Sequence, residues 1–291
     1  MSSDIMPMTE PRPRRQRSQD SGATDAALLF DEPGPRGRIL IAIGSVVAVI
    51  GIAVLAAAVL YRLDLAGQLD YPKWRYFLGQ SVVSQLLEAA GTTLTLGGVA
   101  AVLTFPLGIA LGWLRLLDNR PIKWLVGLWV DAMRAVPMLL LVYFFLLVVP
   151  RFATISDFWK LALPIVMCTS ATTAEVFRSG VRALDRGQTE AAWALGMSPS
   201  LTMRLILAPQ ALRLMLPTLI TQMVTIIKGT TLAYVLAYPE LMYRGSTMIG
   251  QAKIDAHLSV FFQTYVIIAV LYIIVNWSLG ALARYIESHT R

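Results

Sequence analysis

Glu175 and Lys228 stand out in this 291-residue chain because each is an ionisable side chain set inside an otherwise apolar stretch. Such a group costs from about 2.5 kcal/mol upwards at the centre of a bilayer, so it faces a partner or a water-filled cavity. Three arrangements are open for Lys228: attracting the carboxylate of a solute, pairing with Glu175, or snorkelling from a span that ends nearby. Glu175, Thr230 and Thr231 are candidates for the same polar pathway. Asp131 and Arg134, three apart, read as a local ion pair on one helix face. A second group of residues has the character of a handle. The run GQTEAAWALGMS (187–198) favours helix around Glu190, Ala191 and Ala192, and Gly196 stops or bends it. After Pro199, SLTMRLILA resumes an apolar and basic helical pattern through Ile206, up to Pro209. A helix, a bend and a helix with polar faces offer a grip to a soluble partner.

Other chemistries find no support. His257 and His289 are distant in sequence, and Cys168 stands alone in an apolar stretch, so no metal site is expected. No G-x-x-x-x-G-K-[ST] run is present, so the chain is not expected to cradle nucleotide phosphates in that manner. The expectation is a protein that is not an enzyme and carries no cofactor. Asn276-Trp277-Ser278 matches a glycosylation acceptor but falls inside an apolar stretch.

The elements that position these residues are legible in the composition. Hydrophobic residues make up 56% and charged residues 15%, against about 25% charged in soluble domains, so the chain is read as an all-α integral membrane protein. Residues 1–38 are polar, with six Arg offset by six acids, and read as a disordered cytoplasmic tail. Residues 39–61 carry no charge over 23 positions and form the first transmembrane helix, since about 20 residues cross the hydrocarbon. A cleavable signal has a core of only ~7–15 residues, so this helix is expected to be retained. An extracytoplasmic link (62–88) leads to a five-helix core (89–283), with apolar stretches near 89–114, 124–150, 161–177, 214–237 and 258–282. The third stretch is expected to span only from about Ala135, its earlier part lying along the interface. Gly108 and Gly112, four apart, allow close helix approach.

Six spans put both termini on one side. The basic residues divide 17 to seven between the two sides, with Lys228 left within a span, and the richer side is cytoplasmic. That side includes the connection 178–213 and the end 284–291. This retention of Lys and Arg near span ends accounts for the net charge of +7 without a nucleic-acid partner.

Glu190-Ala191-Ala192, then Gly196, Ile206 and Pro209 resemble the EAA loop of bacterial ATP-binding-cassette importer permeases. The flanks AEVFRSGVRALDRGQTEAAWALGMS (174–198) and APQALRLMLP (208–217), with WVDAMRAVP (129–137), are similar to the polar amino-acid branch. The resemblance covers about Ala89 to Leu282. Two departures stand: Ala208 occupies the place usual for Leu before the proline, and Lys228 is followed by GTTL where many relatives have an acid and Thr-Ser-Leu. ALLFDEPGPRGR (27–38) and GQLDYPKW (67–74) look like the tail and first outer loop of actinobacterial glutamate-importer permeases.

The resemblance implies a type I importer permease in the bacterial plasma membrane, moving glutamate or another polar amino acid by alternating access. Its implied partners are ABC ATPase subunits, which bind the ATP, a second permease subunit, identical or different, and an extracytoplasmic substrate-binding protein. Glu190 and the Gly196 bend would seat the loop in an ATPase groove. The alternative is an ion-coupled secondary transporter of a small polar solute, motivated by Glu175 and Lys228 within spans. Against it, no duplicated half with paired interrupted spans is visible.

Overall fold

A run of Ile, Val, Leu and Ala (39–60), interrupted only by Gly44, Ser45 and Gly51 and with no polar face, produces the first helix, α1 (Pro35–Leu65). The computed structural model describes residues 34–290; the reading of residues 1–38 as a tail lies almost wholly outside them. The described residues fall into two units, the first ending at Ala66 and holding α1, the second beginning at Gly67. Among them no strand occurs.

The second unit opens with a short helix, α2 (Tyr71–Arg75), and a 3-10 turn, then α3 (Gln80–Leu114). Trp74 Nε1 and Gln263 Nε2 both donate to the Gln68 carbonyl, at 3.2 and 2.5 Å, tying this link to the start of the last helix. α4 (Arg120–Ala135) and α5 (Met138–Leu147) follow, bent by 96° at Val136-Pro137. The residue before a proline is driven out of the helical region, and Val136 is extended at φ −76°, ψ 128°. Beyond them come α6 (Asp157–Arg182), α7 (Arg186–Ala194), α8 (Pro199–Thr202), a π-helical turn (Met203–Leu207), α9 (Ala208–Gly229), a 3-10 segment (Thr230–Leu236), α10 (Leu241–Asp255) and α11 (Phe261–Thr290).

Among the described residues four helices are long and apolar enough to cross a membrane, or five if the bent pair α4–α5 counts as one span. The sequence suggests six, and the difference is α6. Its Thr169, Ser170, Thr172, Thr173 and Glu175 dilute its apolarity, and its position explains why that is tolerated. Leu161, Ala162, Ile165, Val166, Ala171, Ala174 and Phe177 are all buried against α3, α4, α5 and α9. A helix surrounded by helices does not face lipid, so small residues and hydroxyls replace bulk at its contacts. Thr104 and Thr169 hydrogen-bond at 2.8 Å across α3 and α6, and Thr169 also returns its hydroxyl to the Ile165 carbonyl.

The stretch between the last two apolar segments is a second difference. It reads as an outer connection, yet residues 241–255 form α10, which packs on α3 and α11 through Met248 and Ala252 against Val82 and Leu86.

Candidate functional site

Asp185 starts the helix–bend–helix element by accepting a hydrogen bond from Gly187 N at 2.6 Å, an N-cap for α7. α7 ends where Gly196 adopts φ +77°, a left-handed conformation costly for residues with a Cβ. Gly196 N donates to Trp193 O (2.9 Å) and Met197 N to Ala192 O (3.1 Å), the paired bonds of a Schellman stop. Ser198 then caps α8, accepting from Leu201 N at 3.4 Å. Ala192 is buried, while Glu190, Ala191, Trp193 and Leu195 point outward; Trp193 is 56% and Leu195 83% exposed. Ile206 lies in the π-helical turn, which runs directly into Ala208 and Pro209 at the start of α9. Gln210 Nε2 donates to Gln188 Oε1 at 3.1 Å, holding α9 to α7. Glu190, Ala191, Ala192, Gly196, Ile206 and Pro209 therefore belong to one continuous element, with the carboxylate on its open face.

Glu175 and Lys228, in contrast, do not meet. Glu175 accepts from Arg115 Nη1 at 2.8 Å and from Arg178 Nη2 at 2.5 Å. Arg115 also reaches both oxygens of Asp131, at 3.3 and 3.4 Å, and Asp131 stands 3.9 Å from Arg134. Lys228 lies in the last turn of α9, where a cation favours the negative end of the helix dipole. Among the described residues it makes no ion pair. Its neighbour Gly229 is beside Ile165 of α6, ten residues before Glu175, or about 15 Å along that helix. Pairing of Lys228 with Glu175 is thus excluded by depth. Thr230 and Thr231 donate to the carbonyls of Ile227 (2.7 Å) and Lys228 (2.8 Å), closing the end of α9. The expected pathway residues therefore separate into two layers: Lys228, Thr230 and Thr231 in one, and Glu175 in the other.

A buried carboxylate that sequence reasoning did not single out joins three helices. Glu240 is fully buried at the start of α10. Its oxygens accept from Tyr243 N (2.9 Å) and the Tyr272 hydroxyl of α11 (2.7 Å), while Leu241 N donates to Thr93 Oγ1 of α3 (3.2 Å). Its only advance signal is an acid before a helix-like run; the partner Tyr272 is 32 residues away. Tyr272→Phe leaves one oxygen of this carboxylate without its donor, and a lost partner at a buried polar group costs about 2 kcal/mol. A lowered thermal midpoint of the purified chain in detergent is the expected result, and an unchanged midpoint would show the bond to be dispensable.

The comparisons with known proteins fit this arrangement. Residues 104–289 match the family model described as binding-protein-dependent transport system inner membrane component. The chain belongs to that family. Among curated relatives, the probable glutamine ABC transporter permease protein GlnP of Bacillus subtilis is 33% identical over 196 residues, covering 67% of this chain and 88% of its own. The glutamate transport system permease protein GluD of Corynebacterium glutamicum is 33% identical over 230 residues, covering 77% and 82%. Among solved structures, an amino acid ABC transporter crystallised with histidines superposes with a TM-score of 0.64 at 23% identity, over 72% of this chain and 95% of that one. An inward-facing form of the MetNI methionine ABC transporter gives 0.60 at 15% identity, over 73% and 99%. These structural likenesses establish the shared fold. This inner membrane component is therefore a multi-pass, all-α membrane protein built on the type I importer-permease fold.

Proposed function

We propose that the chain is the permease subunit of an ATP-driven amino-acid importer, with glutamate the first substrate to test. Its relatives include permeases named for glutamine and glutamate, and the same solute class is assigned here to this chain. Hydrolysis takes place on separate ATPase subunits, so the chain needs no nucleotide or other cofactor of its own. A second permease, identical or different, and an extracytoplasmic binding protein complete the assembly. The membrane is the bacterial plasma membrane, with both termini and the 178–213 connection cytoplasmic, as the 17-to-seven division of basic residues favours.

The observation that carries this reading is the element running from Asp185 to Pro209. It is stopped and capped at each turn, held to α9, and presents Glu190, Trp193 and Leu195 outward. In the proposed cycle an ATPase groove takes hold of α7, and closure of the ATPases moves α9 through the π-helical turn. Solute then passes from the layer of Lys228, Thr230 and Thr231 to that of Glu175 as access alternates. The ion-coupled alternative draws on Glu175 and Lys228 as proton-handling groups. Glu175 is instead engaged by Arg115 and Arg178 and does not meet Lys228, which leaves that alternative without its main support.

Uptake of radiolabelled L-glutamate into vesicles carrying the complete assembly tests the proposal. Accumulation is expected to require both ATP and the binding protein. Uptake that persists without ATP and collapses with the proton gradient overturns it.

A further inference from the structure

Between the inner ends of α4, α6 and α9 lies a cavity of about 400 Å³, lined in part by Arg134, Thr172, Glu175, Ser179, Leu214 and Thr218. That volume is within the ~300–1,000 Å³ range of small-molecule sites. The charges around it do not balance locally. Arg115, Arg134 and Arg178 face only Asp131 and Glu175 among the residues of this network. Glu175 is taken by Arg115 and Arg178, and Asp131 by both terminal nitrogens of Arg115. Arg134 reaches Asp131 only at 3.9 Å, beyond hydrogen-bond distance, and its side chain is 44% exposed. The surplus positive charge therefore sits on a guanidinium at the cavity wall, with the hydroxyls of Ser179 and Thr218 around the same space, that of Thr172 being turned to the Cys168 carbonyl. A guanidinium fork beside hydroxyl donors is suited to a carboxylate, which accepts two parallel hydrogen bonds from it. Glu175 does not repel such a ligand as a free anion would, because its two arginines neutralise it in place.

We propose that this cavity is an exit station in which Arg134 and the neighbouring hydroxyls hold the solute's carboxylate on the cytoplasmic side of the pathway before release. It rests on the importer reading above, and it is separate from the layer of Lys228, which lies about 15 Å away along α6. The surplus cation gives the inward-facing state an affinity for carboxylates that does not need the binding protein.

The experiment is equilibrium binding of radiolabelled L-glutamate to the purified complete transporter, free of nucleotide and without binding protein. Saturable binding is expected, competed by glutarate and not by the uncharged isostere glutaramide. Arg134→Gln should weaken it about tenfold and Arg134→Lys should restore much of the loss. Thr218→Val, a milder change at the opposite wall, should weaken it about threefold and decides the matter if Arg134→Gln does not assemble with the ATPase subunits. Wild-type binding by both variants, or equal competition by glutaramide, overturns the exit station. Transporter that accumulates glutamate in ATP-loaded vesicles yet shows no saturable resting-state binding also rejects the station and leaves the importer standing. Transporter that accumulates none rejects the importer reading, and the station falls with it.

Discussion

Glu190→Lys leaves the chain folded and inserted but lowers ATP-dependent uptake by at least about a hundredfold. The expectation follows from where the carboxylate sits. Glu190 is exposed on α7 and, among the described residues, forms no ion pair within the chain. Reversing its charge therefore changes the protein's own stability by less than about 0.5 kcal/mol, as for other surface positions. An interface that buries it in a partner's groove is affected much more. Truncating one member of a buried, hydrogen-bonded charge pair costs about 2–5 kcal/mol and setting like charges against each other adds several more, whereas about 2.8 kcal/mol is already a hundredfold. Trp193 and Leu195, both outward on the same element, provide the apolar anchors that would exclude water from such a pair. The measurement is uptake in vesicles alongside the amount of ATPase co-purified with the variant. Wild-type uptake would remove the coupling role from this element.

The helix–bend–helix form of residues 186–207 is legible in the sequence and the depth of the polar residues is not, for a physical reason. A stop is local: Gly196 acts through bonds to Trp193 and Ala192 within its own turn, so its type specifies the bend wherever the element lies, while the caps Asp185 and Ser198 are findings of the structure. Gly108 and Gly112 were likewise readable from their spacing, because helix neighbours repeat every three to four residues. Glu175 and Lys228, by contrast, both read simply as charges in apolar segments. Their separation depends on which residues of α6 and α9 lie level with one another, and only the packing of Gly229 beside Ile165 determines that. The guanidinium partners Arg115 and Arg178 sit just outside apolar stretches, where a basic residue marks membrane orientation and gives no sign of its partner. α10 is not legible because LMYRGSTMIGQAKID is too polar to suggest a buried helix, and the groups that secure it, Thr93 and Tyr272, come from helices far away in sequence.

The same local-versus-tertiary division makes two glycines of α3 respond oppositely to one substitution. Gly112→Val is expected to destabilise the chain by about 3 kcal/mol, whereas Gly98→Val changes stability by less than about 0.5 kcal/mol. A Cβ at Gly112 would lie 2.6 Å from the Ala174 carbonyl oxygen and 3.0 Å from Phe177 Cδ1. The first of these is backbone of the central helix and cannot turn aside, so α3 and α6 must separate. That separation opens the contact on which Thr104, Thr169 and the Arg115–Glu175 bond also depend. At Gly98 a Cβ meets nothing within 4 Å, and the modest gain in helix propensity over glycine is the main consequence. Thermal midpoints and recovered yield of the two variants, purified identically, read out the difference. Equal behaviour would mean that α3 and α6 are not in the close contact from which the inner charge network is built.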